Sequence, residues 1–142
     1  NGREEKGMRK ILIATHATYA EGIRAAAELI LGKQPAITTI CAYTEGVFLE
    51  EELEEYFGAC APEDEVVVLT DLYGGSVNQA CMKYMDRPGV HLLTGVNLAL
   101  LLQVITMEEG EELREAVKEA REQVSYVNET MTAMVNDDFA DL

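Results

Sequence analysis

Two residues carry the chemistry most open to a direct reading, His16 and Asp71. His16 follows the apolar run Ile11-Leu12-Ile13-Ala14 and Thr15, and Asp71 follows Val66-Val67-Val68-Leu69 and Thr70. A histidine beside a carboxylate can act as a nucleophile or a general base. The carboxylate fixes the ring tautomer and stabilises the positive ring that forms on attack. Just beyond Asp71 stands Gly74-Gly75-Ser76, at the start of a predicted helix. Two glycines let the backbone curl so that N–H groups face outward, and a helix start favours an anion. A nucleophilic imidazole, an orienting acid and an anion cradle point to phosphoryl transfer through a phosphohistidine. His16 and Asp71 would be the catalytic pair, and Gly74, Gly75 and Ser76 the phosphate-binding turn. Singly, each feature has a structural use: a strand-end histidine, a capping aspartate, a tight turn. Their meeting at one edge is what carries function.

That meeting depends on the elements around them. Val66 to Leu69 is apolar throughout, as a strand buried on both faces should be. Ile11 to Ala14, Ala36 to Cys41 and Val90 to Leu93 also read as strands. Between them lie apolar residues at helical spacing, among them Ile23, Ala26, Ala27, Ile30 and Leu31, then Leu49, Leu53, Tyr56 and Phe57, then Val77, Ala80, Cys81, Tyr84 and Met85. Gly32 stops the first of these helices, and Asn97 can cap one running from Leu98 to Ile105. Leu113, Ala116, Val117 and Ala120 stripe a last helix, for which Thr106 and Glu109 offer a capping box. Val124 to Val127 has strand character. Strict alternation of strand and helix predicts an α/β fold with a mainly parallel sheet and helices on both faces. In such sheets function gathers at the carboxyl ends of the strands, where His16, Asp71 and the segment Thr94-Gly95-Val96-Asn97 all fall.

Composition bounds the partners. With 142 residues the chain suits one domain, here residues 8–142, after a polar leader at residues 1–7. The formal charge of −15 repels phosphate backbones and anionic leaflets, so neither nucleic acid nor a membrane surface is an expected partner. No apolar run approaches the ~20 residues of a membrane span. Three widely spaced cysteines, Cys41, Cys60 and Cys81, fit a reducing, cytoplasmic setting better than a disulfide framework or a metal site. Nucleotide-binding loops of the G-x-x-x-x-G-K and G-x-G-x-x-G types are missing, so no cofactor is expected and a phosphoprotein donor fits better than ATP. A receiver domain would need acidic residues where Thr15-His16 stands.

The run Ile11 to His16 (I-L-I-A-T-H), the helix with Gly22, the stretch Leu69 to Asn78 containing D-x-x-G-G-S, and Thr94-Gly95-Val96-Asn97-Leu98 together resemble the mannose/fructose/sorbose-type enzyme IIA of the bacterial phosphoenolpyruvate:sugar phosphotransferase system (PTS). The resemblance runs from Met8 to about Asn128. It implies a phosphocarrier that takes a phosphoryl group from phospho-HPr onto His16, with Asp71 orienting the ring, and passes it to enzyme IIB. It further implies strand order 2-1-3-4 and a homodimer exchanging its last strand, here Val124 to Val127. Many members of that family carry Gly where Ala17 stands and Pro where Val77 stands. Two other readings use the same chemistry: a regulatory module that senses phosphorylation, and the phosphotransfer subunit of a dihydroxyacetone kinase. The pair G-G-S and T-G-V-N favours the sugar system. His91, inside a strand, is expected to be structural, and the Cys81/Arg87 match to the C-x5-R phosphatase motif to be coincidence, since Cys81 lies on a helix stripe.

Overall fold

A computed structural model describes the backbone of residues 7–140 and the side chains of residues 7–135. The expected leader, residues 1–7, lies outside these residues apart from Gly7. The element order is β1 (Arg9–His16), α1 (Tyr19–Leu31), β2 (Ile37–Ala42), α2 (Leu49–Gly58), β3 (Glu65–Thr70), α3 (Ser76–Met82), β4 (Val90–Thr94), α4 (Leu98–Thr106), α5 (Leu113–Arg121) and α6 (Val127–Ala140). The strands form one sheet in the order β2-β1-β3-β4, every pairing parallel. The single α/β domain and the 2-1-3-4 order agree with expectation.

Successive residues of a strand face opposite ways, so a central strand serves two cores. Ile11 and Ile13 of β1, with Val67 and Leu69 of β3, pack beneath α1, α4 and α5 through Ile23, Leu101 and Ala116. Leu12 and Ala14, with Val66 and Val68, pack beneath α2 and α3 through Leu53, Phe57, Val77 and Cys81. This double burial is why β1 and β3 are apolar without a break. It also fixes the register, because a slip of one residue would carry each side chain to the wrong face.

Register then fixes what leaves the carboxyl edge together. Ala14 lies opposite Thr70, so His16 and Asp71 emerge on neighbouring strands. His16 lies opposite Ala42, which brings Tyr43 alongside. Asn97 caps α4 as expected, its side chain accepting the Leu100 N–H at 2.8 Å.

Two local expectations change. Thr106 does not cap the last helix: it is the final residue of α4, and its hydroxyl donates to the Leu102 carbonyl. The cap position of α5 is Glu112, farther along the chain. The predicted strand at Val124–Val127 is not formed within the single chain. Residues 124–126 join no ladder, and Val127 opens α6. Val124 lines a cavity beside the edge of β4, with Leu92, Leu93 and Thr94, but no backbone ladder forms there. Val124, Tyr126 and Val127 remain exposed, as do Met131 and Met134 farther along.

Candidate functional site

The site lies at the carboxyl edge of the sheet, where four loops converge. His16 ends β1 with its side chain 39% exposed, and Asp71, just past β3, is 12% exposed. Nδ1 of His16 stands 3.0 Å from Asp71 Oδ2 and 3.3 Å from Oδ1. An ionised carboxylate only accepts, so Nδ1 carries the proton and donates it to Asp71. The other nitrogen, Nε2, is left with its lone pair. The same carboxylate also accepts the backbone N–H of His16 at 2.9 Å and that of Leu72 at 3.0 Å. The backbone bond from His16 ties the acid to the residue whose ring it orients.

Burial alone would push the Asp71 carboxyl pKa up. The N–H and ring of His16 outweigh it, and the pKa settles below its ordinary value. Asp71 is thus anionic at neutral pH, as needed to stabilise a positively charged ring. Beneath this pair the turn into α1 is pinned by Thr15, fully buried, whose hydroxyl accepts the Ala20 N–H at 2.8 Å. Ala17 takes φ of 51°, a left-handed conformation costly for any residue with a Cβ, and its N–H donates to Ala42. Tyr19, from the first turn of α1, donates its phenol to the Val96 carbonyl at 2.8 Å. The loops after β1 and β4 are thereby joined. Burial, followed by the negative charge of Asp71, raises the Tyr19 phenol pKa.

The Gly74-Gly75-Ser76 turn lies against His16, but its amides are used differently from expectation. The Gly74 N–H donates to Asn78 Oδ1 at 3.0 Å, and the Gly75 N–H to the Leu72 carbonyl at 3.1 Å. Both glycine amides are therefore engaged in shaping the turn and do not face outward as a cradle. The glycines are needed for space and conformation. Gly74 has φ of 74°. A Cβ on Gly75 would lie 3.2 Å from the Leu72 side chain and 3.8 Å from His16 Cε1. Of the three turn residues, Ser76 is left to offer an exposed hydroxyl. Asn78 is buried and makes a second bond from Nδ2 to Thr70 Oγ1, which in turn donates to Thr94 Oγ1. This chain of polar groups locks the turn to the ends of β3 and β4.

Tyr43 was missed by the sequence reading. Its ring centroid lies 5.4 Å from that of His16, tilted by 49°, and its phenol is hydrogen-bonded to Ser76 Oγ at 2.5 Å. The available signal was its position after β2, next to β1; a tyrosine there reads as one more strand former. The structure also places the decoys. His91 lies on β4, with Nε2 3.7 Å from Glu65 Oε1 on the exposed surface. Cys81 is buried within α3, where burial, then Glu50, raises its thiol to about 12, and Arg87 donates to the Phe57 carbonyl. A thiol so hard to ionise is no phosphatase nucleophile. Among the described residues no cluster of metal-ligating side chains occurs, and no helix is long and apolar enough to cross a membrane.

A family model described as PTS system fructose IIA component matches residues 10–121. The PTS system mannose-specific EIIAB component of Escherichia coli is 31% identical over 99 residues. That match covers 67% of this chain and 30% of the relative, so the chain spans under a third of that protein's length. A Klebsiella pneumoniae structure described as a phosphoenolpyruvate-dependent sugar PTS permease superposes with a TM-score of 0.82 at 37% identity, covering 89% of this chain and 96% of the other. The PTS IIA protein associated with the fucose utilization operon of Streptococcus pneumoniae superposes with a TM-score of 0.73 at 30% identity, covering 89% and 98%.

Proposed function

This chain belongs to the family of PTS fructose/mannose-type IIA components, and on that premise we propose that it carries a phosphoryl group on His16 Nε2, taken from phospho-HPr and handed to an enzyme IIB. The observation that carries the reading is the geometry of one ring. Asp71 holds Nδ1–H at 3.0 Å and is itself fixed by the His16 backbone, so the lone pair of Nε2 is the one available for attack. As that lone pair bonds to phosphorus, the donor's P–N bond breaks and its electron pair returns to the donor ring. The imidazole of His16 becomes cationic, and the carboxylate of Asp71, already ionised, stabilises it without moving. Transfer onward to enzyme IIB runs the same steps in reverse. The phosphoryl group enters activated, so the site needs orientation and charge stabilisation more than brute acceleration. Ser76 is the turn residue placed to donate to a phosphoryl oxygen.

Incubating the chain with phosphoenolpyruvate, enzyme I and HPr tests this. Acid-labile phosphate should appear on the wild type and be missing from His16→Ala. Labelling of that variant would remove His16 from the role.

A homodimer joined through the segment after α5, and a cytoplasmic location beside its donor, complete the proposal. Among the described residues the outer edge of β4 has no neighbouring strand, and open edges invite pairing. Exposed apolar side chains at Val124, Tyr126 and Val127 are available to cover it. Exchange of a terminal strand is a low-cost route to a two-fold dimer. Light scattering should give a dimer for the full chain and a monomer after truncation behind Gln123. A monomeric full chain at micromolar concentration would refute the dimer and leave the histidine chemistry intact.

A further inference from the structure

We propose that Tyr43 is a positioning residue of the phosphoryl site, acting through Ser76: its ring packs on the His16 imidazole while its phenol fixes the Ser76 hydroxyl to present a proton to phosphoryl oxygen. The inference rests on the phosphohistidine reading and deepens it. Three observations on separate elements converge. The β1–β2 register sets Ala42 opposite His16, and the Ala17 N–H bonds to the Ala42 carbonyl, so the residue after β2 is tied to the histidine loop. Tyr43 itself takes φ of 65°, a conformation rare for a bulky side chain, and the turn behind it is closed by Thr44 Oγ1 donating to the Cys41 carbonyl at 2.7 Å. That conformation directs the ring over His16 and the phenol onto Ser76. Unusual backbone conformations of this kind persist where the surroundings over-determine them, and they cluster at functional sites.

Counting protons gives the pair its use. Tyr43 and Ser76 each own one hydroxyl proton, and the bond between them consumes one. The other is always free to be donated. A phosphoryl dianion on His16 selects the arrangement in which the more acidic phenol donates to Ser76 and Ser76 donates to the anion. Chained hydrogen bonds of this sense reinforce one another. With the Gly74 and Gly75 amides both engaged inside the turn, this hydroxyl is the side-chain donor that the turn can supply without refolding. Tyr43 is exposed, so the arrangement leaves the site open to a partner's donor.

Phosphoramidate, a small chemical donor, tests the proposal without partner proteins. His16 Nε2 forms a bond to phosphorus, the phosphoramidate P–N bond breaks, and ammonia leaves with that bond's electron pair. Loading rate and the 31P chemical shift are measured for wild type, Tyr43→Phe, Ser76→Ala and the double variant. Tyr43→Phe keeps the ring and removes only the hydroxyl. It should load about three- to ten-fold more slowly, the range of one lost hydrogen bond, and shift the 31P resonance. In the Ser76→Ala background the same change should cost nothing further, because the relay is already broken. Wild-type loading with an unchanged resonance in Tyr43→Phe, or losses that multiply in the double variant, would overturn the role through Ser76. A His16→Ala control that loads as well as wild type would instead bring down the phosphohistidine reading. Loading by phosphoramidate but not by phospho-HPr would remove the donor and leave Tyr43 in place.

Discussion

The chain has two histidines, each with a carboxylate within reach, at opposite ends of one sheet. At the carboxyl edge, Asp71 is mostly buried, accepts the His16 ring and backbone together, and among the described residues has no cation competing for it. On the other side of the sheet, Glu65 stands 3.7 Å from His91, and the Oε1 that faces His91 is held at 2.8 Å by Arg9. Both side chains there are exposed, so solvent screens what attraction remains. Each end pairs a histidine with a carboxylate. The differences are that one carboxylate is committed to its histidine by two bonds and the other is shared, and that one end opens on loops while the other closes on an ion pair. A proximity search for His and acid would return both; only bond count, burial and loop setting separate them.

The sharpest way to break this contrast is to delete each ring. His16→Ala should lose phosphate acceptance altogether, and His91→Ala should keep it, with labelling read after acid and alkali treatment. Retention in the first or loss in the second would reverse the assignment. Next in size is the acid. Removing an orienting carboxylate costs up to ~10⁴-fold where the wrong tautomer results, as in serine-protease triads. A phosphoryl group already activated on a histidine faces a lower barrier, so Asp71→Asn should slow transfer by roughly 10²-fold, and Glu65→Gln should leave it unchanged. Rapid-quench transfer kinetics would decide, and an Asp71→Asn chain at wild-type rate would reduce the residue to a turn cap.

Much of this contrast was legible before any coordinates. Unbroken apolar runs at Ile11–Ala14 and Val66–Leu69 announce strands buried on both faces, and alternation with helices predicts the parallel sheet. The edge bearing His16 and Asp71 follows from that. What escaped depends on loop geometry that no period encodes. Tyr43 reaches the site because φ of 65° turns it back over His16; its type alone says strand. The Gly74 amide is consumed by Asn78, four residues on, so a turn that reads as an open cradle is closed. Val124 to Val127 has the composition of a strand, but pairing is a non-local property, and among the described residues this segment joins no ladder.

Acid titration separates the two ends by stability. Asp64, near the start of β3, has its pKa lowered first by the Lys10 side chain and then by the Ala61 and Met8 amides. Asp71 is lowered as well, but burial, the largest single influence on it, pulls the other way. A carboxyl whose folded pKa is depressed contributes stability that is fully present above its unfolded value of about 3.9. That contribution is lost as pH falls through the folded value. Stability should therefore hold at neutral pH and decline below about pH 4. Urea unfolding at stepped pH should show the acid decline flattened more by Asp64→Asn than by Asp71→Asn. The reverse order would mean that the site, not the opposite end, carries more of the acid sensitivity.

The smallest effect lies in the two left-handed turns that border these ends. Gly89, before β4, has φ of 79°, and a Cβ there would lie 2.7 Å from the Asp64 carbonyl oxygen. Gly89→Ala meets both conformational strain and a backbone clash, and should cost about 1–3 kcal/mol. Ala17 is the mirror case: a Cβ already present at φ of 51°, exposed, beside His16. Replacing it by glycine relieves roughly 1 kcal/mol of left-handed strain but adds chain entropy to the unfolded state, worth about 0.4–1 kcal/mol the other way. The two nearly cancel, so Ala17→Gly should change stability by less than about 1 kcal/mol, in contrast to the ~1 kcal/mol loss usual for Ala→Gly inside a helix. Its effect on transfer should be as slight, because Asp71, not residue 17, holds the ring. Thermal melts and transfer rates of the two variants would check this. A large gain in stability from Ala17→Gly would mean that the histidine loop stores more strain than its one unusual dihedral accounts for.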